Sequence, residues 1–197
     1  GGPQANASAF SHGVWQFTTA TSGNITVSAS STVTGGISGA ALADATGGNA
    51  SGNASAYGIL QQGTAAGGGG VSLTANSDGA IGASATTFAD GTSGNGTAVA
   101  QGQGIVQSGI TFGGGFPVTV TASSGGAMDI DVLADATGNV SANAEARGWG
   151  ISQFAFPISG TAMAIADNSG PMTLGVTANA LAQYAVANVE AYGIHQQ

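Results

Sequence analysis

The sequence has no cysteine and no lysine, and Arg147 is its one basic residue apart from His12 and His195. Without cysteine there is no disulfide framework and no thiolate zinc site, and the redox compartment goes unread. One arginine against seven Asp and two Glu leaves a net charge of −8. That balance argues against nucleic acid or an anionic membrane surface as a partner. Long apolar runs are missing too: no stretch approaches the roughly 20 residues of a membrane-spanning helix, so no membrane insertion is expected. No signal peptide is read in this sequence, and a chain opening Gly1-Gly2-Pro3 reads as a processed or excised product.

What the sequence has is glycine, 36 of them, and 42% hydrophobic residues with only 5% charged. A filter on charge and glycine alone would suggest disorder, but the apolar residues keep a regular phase. Gly, an aliphatic residue, one variable residue and Gln recur as Gly13-Val14-Trp15-Gln16, Gly58-Ile59-Leu60-Gln61, Gly104-Ile105-Val106-Gln107, Gly150-Ile151-Ser152-Gln153 and Gly193-Ile194-His195-Gln196. Successive glycines lie 45, 46, 46 and 43 residues apart, a spacing that marks repeat architecture. The reading is one domain over 1–197: a partial repeat 1–12, repeats 13–57, 58–103, 104–149 and 150–192, and a partial repeat 193–197. A second landmark keeps the same phase: Leu42-Ala43-Asp44-Ala45-Thr46-Gly47 returns at Leu133 to Gly138, with Phe88-Ala89-Asp90-Gly91-Thr92 between them.

Within a unit the hydrophobic period is two, which predicts strands. Ile25 to Ala29, Val71 to Ala75 and Val118 to Ala122 alternate apolar residues with hydroxyls, and Met163 to Ala166 takes their place in the fourth unit. A second strand is expected over about 38–45, 83–90 and 128–135. The longest enters each phrase from upstream, as in Val140 through Phe156. On that strand Ala142, Ala144, Ala146, Gly148 and Gly150 are expected on one face, with Asn143, Glu145, Arg147, Trp149, Ile151 and Gln153 on the other. An Ala/Gly face admits a close backbone layer, while the phrase glycine suits a corner. Turns are expected at 67–70, 76–79, 123–126 and 168–171, where Gly, Asn and Asp can supply positive φ. Caps and helical periodicity are lacking. The fold class is all-β, with a β-solenoid favoured; a β-sandwich with an exchanged strand and a small propeller are the alternatives.

Four repeated polar features invite a functional reading. Gln16, Gln61, Gln107, Gln153 and Gln196, if stacked, can form an amide ladder. Asp44, Asp90 and Asp135 would form a carboxylate row suited to calcium, set against the plainer role of capping their own turns; no other cofactor is expected. Thr26, Ser28, Ser72, Thr74, Thr119 and Thr121 would form hydroxyl rows, which resemble those of ice-binding proteins. Asn-x-Ser/Thr occurs at Asn6, Asn24, Asn49, Asn53, Asn95 and Asn139, the acceptor pattern for an attached glycan. Gly67 to Gly70 lacks the lysine and helix of a phosphate loop. Asp129 and Asp131 have no match in other units.

The Gln, Asn and Gly content around short strands resembles bacterial curlin and repeat-built surface adhesins. The resemblance implies an extracellular or cell-surface fibre or matrix component. The expected function is a structural subunit of an extracellular filament, a homo-oligomer assembling head to tail. Its contacts would run from Asn6, Ala7, Ser8, Ala9, Phe10, Gly13, Val14 and Gln16 to Val189, Tyr192, Ile194 and Gln196 of a neighbour, as a donated strand does between pilin subunits. The alternative is a monomeric adhesin or ice-binding module with a Thr/Ser face. Neither a nucleophile beside a base nor a repeated acid–base set is visible, so no enzyme activity is expected. Screening glycan, ester and peptide substrates should give no turnover; a reaction abolished by a single Asp or His substitution would contradict this.

Overall fold

Residues 3–20, 27–66 and 69–197 are described by the computed structural model. They form an all-β chain of thirteen strands: β1 (Gln4–Ala20), β2 (Val27–Val33), β3 (Ile37–Gly47), β4 (Asn49–Ala65), β5 (Val71–Ser77), β6 (Ile81–Gly91), β7 (Asn95–Gly114), β8 (Val118–Ser124), β9 (Met128–Gly138), β10 (Ser141–Ser159), β11 (Ala162–Asn168), β12 (Met172–Leu181) and β13 (Tyr184–Gln196). The chain visits three sheets in turn and begins again. Their orders are β1-β4-β7-β10-β13, β11-β8-β5-β2 and β12-β9-β6-β3, here called the first, second and third sheets. Every pairing among the described residues is parallel. Sandwiches and propeller blades are built from antiparallel strands, so neither alternative describes these sheets.

The phrase residues stack in register. Val14 pairs with Ile59, Ile59 with Ile105, Ile105 with Ile151 and Ile151 with Ile194. The phrase glycine lies inside the long strand rather than at its border: β1 runs unbroken from Gln4 through Gly13 to Ala20. Residues 4–12 are thus the first half of a strand paired to β4 along its length.

That glycine is a corner. Ala142, Ala144 and Ala146 are buried as expected, but so are Ile151 and Gln153, while Asn143 is exposed and Glu145, Arg147 and Trp149 are half-buried. The alternation slips by one at Gly150, where consecutive residues both face inward. The assignment of Ile151 and Gln153 to the outer face is therefore corrected: a straight strand would put them there, and the bend reverses it. Upstream of the corner the alanines of the long strands pack on the third sheet, in one core with Ala83, Val132, Ala134 and Ala136. Downstream, Ala65 and Ala155 pack on Val71, Leu73, Val118 and Val120 of the second sheet in a smaller core.

Steric crowding explains why the corner is glycine. A Cβ at Gly104 would sit 2.5 Å from the Gly150 carbonyl oxygen and 2.8 Å from Met128 Sδ. At Gly58 it would meet Ile81 Cγ2 and the Gly104 carbonyl oxygen, and at Gly13 the Ile37 side chain and the Gly58 carbonyl oxygen. The turns between second and third sheets use glycine for the same reason. Among the described residues positive φ occurs only at Gly69, Gly115 and Gly160, which lie between the first and second sheets. Gly79, Gly126 and Gly170 are absent from that set; a Cβ on them would meet the carbonyl oxygen of Gly35, Gly79 and Gly126 respectively. The expected φ argument for those turns gives way to close stacking.

Two registers differ from expectation. Val27, not Ile25, pairs with Val71, and Ala162 pairs with Val118; Ile25 itself lies outside the described residues. Replacing Gly104 by Ala forces backbone displacement and should cost about 1–3 kcal/mol, the usual range for overpacking. Gly82→Ala, whose Cβ would make an ordinary 3.4 Å contact, should be close to neutral. Equal thermal melting of the two variants would contradict the corner assignment.

Candidate functional site: a glutamine ladder and two bare sheet edges

The five phrase glutamines form one continuous ladder. Gln61 Nε2 donates to Gln16 Oε1 at 2.7 Å, Gln107 Nε2 to Gln61 Oε1 at 2.7 Å, Gln153 Nε2 to Gln107 Oε1 at 2.8 Å and Gln196 Nε2 to Gln153 Oε1 at 2.7 Å. Each primary amide has two N–H donors. The second goes to a carbonyl oxygen of the second sheet: Thr74 for Gln61, Thr121 for Gln107 and Ile165 for Gln153, each at 2.8 Å. Gln61, Gln107 and Gln153 are 0–1% exposed, so these bonds form away from water, where an unmade one is costly. Gln61, Gln107 and Gln153 each donate to the glutamine before them and accept from the one after. The ladder has a direction.

The aspartates do not stack. Asp44 pairs with Phe88 and Phe88 with Asp135, whereas Asp90 pairs with Thr46 and Thr137. Asp90 is displaced by two residues, because it is Phe88 that stands level with the other two aspartates. Asp90 Oδ1 instead accepts a hydrogen bond from Thr137 Oγ1 at 2.9 Å. The calcium row of Asp44, Asp90 and Asp135 is therefore not formed, and no group of three candidate ligands occurs among the described residues. Asp129 and Asp131 lie exposed on the outer face of β9, beside Gly82 and Ser84.

The hydroxyl residues pair in a register shifted from the expected one. Ser28, Ser72 and Thr119 share one column, and Ser30, Thr74 and Thr121 the next. They end at Met163 and Ile165, which pair with Thr119 and Thr121 and are exposed; Ala164 and Ala166 face inward instead. Thr26 lies outside the described residues. Of the glycan candidates, Asn6, Asn53, Asn95 and Asn139 are exposed and Asn49 is half-buried, while Asn24 lies outside the described residues. The Asn49 Oδ1 accepts from the Asn95 backbone N–H at 2.9 Å, and Asn95 Oδ1 from Ser141 Oγ at 2.9 Å.

Sequence reasoning missed an aromatic seam along the outside of the corner. His12 stacks on Trp15 and on Tyr57, with ring centroids 5.2 and 5.1 Å apart, and His195 stacks on Trp149 at 6.5 Å. Strand residues three apart meet here because the chain bends between them. Burial raises the Tyr57 phenol above its ordinary pKa of 10.0, offset in part by a hydrogen bond with Ser55. Both histidines are members of this seam. Nearby, Arg147 pairs with Glu145 on its own strand and lies 3.6 Å from Glu190 on β13.

The expected assembly residues fall on the two outermost strands of the first sheet. Asn6, Ala7, Ser8, Ala9, Phe10, Gly13, Val14 and Gln16 are on β1; Val189, Tyr192, Ile194 and Gln196 are on β13. In this chain β1 and β13 are separated by β4, β7 and β10. β1 is half-buried along its inner face, whereas β13 is exposed on both faces, with Val189 at 52%, Tyr192 at 47% and Ile194 at 47%.

Cutting the ladder at its centre tests it. Gln107→Leu strands Gln61 Oε1, Gln153 Nε2 and the Thr121 carbonyl oxygen, at about 1–3 kcal/mol for each buried group left unpaired. Gln107→Glu buries a carboxylate whose pKa burial should raise. Its folded-state pKa then exceeds the unfolded value, so the variant should be least stable above the folded pKa and regain stability as pH falls through it. Melting temperatures of both variants across pH 4–8 check this; a Glu variant that loses stability on acidification more steeply than the parent would contradict it.

No protein-family model matches this chain, and neither a curated protein nor a solved structure is significantly similar to it.

Proposed function

We propose that the chain is a β-solenoid and serves as a structural subunit of an extracellular filament or matrix fibre, joined head to tail through strand edges. One observation carries the reading. β1 and β13 are the outermost described strands of the first sheet and run parallel, and every residue of β13 but His195 is exposed. Edges left in water normally carry lysine, proline or bulges that block further pairing. β13 has no lysine and no proline, and its single charge is Glu190. A contact between two different edges is heterologous, so unless its rotation closes a ring it propagates as a fibre. The low charge, 5% of residues, fits a structural role.

The pairing of β1 within its own chain modifies the expected mechanism. The N-terminal segment is already paired to β4 in the first sheet, so it is not a loose strand awaiting a neighbour.

Electron microscopy of purified protein should show filaments one chain wide. Val189→Lys places a charge on the bare edge and should give folded, dispersed particles. Dispersed particles for the parent protein across the accessible concentration range would contradict the filament.

A further inference from the structure

A joint between two stacked copies must satisfy three sheets at once. The described strands number five in the first sheet and four in each of the others. If the β2 and β3 edges of one copy meet the β11 and β12 edges of the copy before it, only one first-sheet position lies between β10 and the next copy's β4. Two strands can fill it: β13 of the first copy and β1 of the next.

They are alike where it matters. Along the inner face β1 carries Ala5, Ala7, Ala9, Ser11, Val14 and Gln16, and β13 carries Ala185, Ala187, Val189, Ala191, Ile194 and Gln196. The corresponding residues of β7, including Ala98, Ala100, Ile105 and Gln107, are 0–1% exposed because second- and third-sheet strands cover them. β13 has the same inner face without that cover.

We infer that β13 takes this position by strand exchange, pairing with β4 of the next copy and releasing that copy's own β1. This rests on the filament reading. Three features favour it. First, β13 leaves Val189 52% and Ile194 47% exposed, apolar surface that the joint would cover. Second, Gln196 donates to Gln153 in the same sense as the rungs before it, so its Oε1 would continue the ladder. In the exchanged joint that oxygen accepts from Gln61 Nε2 of the next copy, the bond Gln16 Oε1 makes within one chain. Third, the ladder's direction rejects the symmetrical alternative, since pairing β13 with β13 would set oxygen against oxygen.

The absence of cysteine makes the joint easy to map. Ser8, Asn53, Glu145 and Asn188 form one outward column across β1, β4, β10 and β13. In a single chain Asn188 and Asn53 are separated by two strands, so a disulfide between them has to join copies. Neighbouring paired strands meet the Cα separation that a disulfide needs. The double variant N53C/N188C, assembled and then oxidised, should give a ladder of covalent multimers on denaturing gels. Two others, S8C/N188C and S8C/E145C, should remain largely monomeric. Multimers from S8C/N188C would mean edge stacking without exchange, and multimers from S8C/E145C would mean that β1 displaces β13; either overturns the inference. Filaments without multimers from N53C/N188C overturn it as well. If the parent protein makes no filaments, the filament reading itself fails.

Discussion

The structure depends on carbonyl and amide groups repeating in strict registry along one axis. A buried glutamine is tolerable only when its two N–H donors and its oxygen are all engaged. Here each central glutamine engages the one before it, the one after it and a second-sheet carbonyl. A turn of chain shifted by one residue would move its glutamine to the outer face and leave both neighbours unpaired. The ladder therefore penalises misregistered stacking, which matters in a chain whose alanine-rich strands would otherwise slide at little cost.

Glycine makes that registry sterically possible. The stacked phrase glycines bring the carbonyl of one turn to where the next would carry its Cβ. The same crowding recurs at Gly79, Gly126 and Gly170. Between these corners the first and third sheets approach over alanine, so the core is thin and its cohesion comes from many small contacts rather than a few large ones. Ile59, Ile105 and Ile151 occupy the inside of the bend, with Ile81 and Met128 opposite.

Much of this was legible in the sequence, and the limits have physical reasons. The phrase spacing located the ladder, since Gln16 through Gln196 recur beside an invariable Gly, and the alternation at Val71 and Val118 placed β5 and β8. What failed were inferences that assumed straight strands and sequence-equivalent letters. A period-two count places Ile151 and Gln153 outward, because it carries no sign of the bend at Gly150. Asp90 was matched to Asp44 on the strength of a local motif, while the ladder of backbone bonds set Phe88 there. The stacking of His12 on Trp15 required knowing that the corner folds the strand's outer face onto itself.

Side-chain amide hydrogen exchange tests the in-register ladder most directly. Both Nε2 hydrogens of Gln61, Gln107 and Gln153 should exchange as slowly as the most protected backbone amides, through global opening alone. Gln4 and Gln183, which are exposed, should exchange at solvent rates. If Gln107 exchanged as fast as Gln183 in the folded protein, its amide would not be held between two others, and the stacked register described here would be wrong.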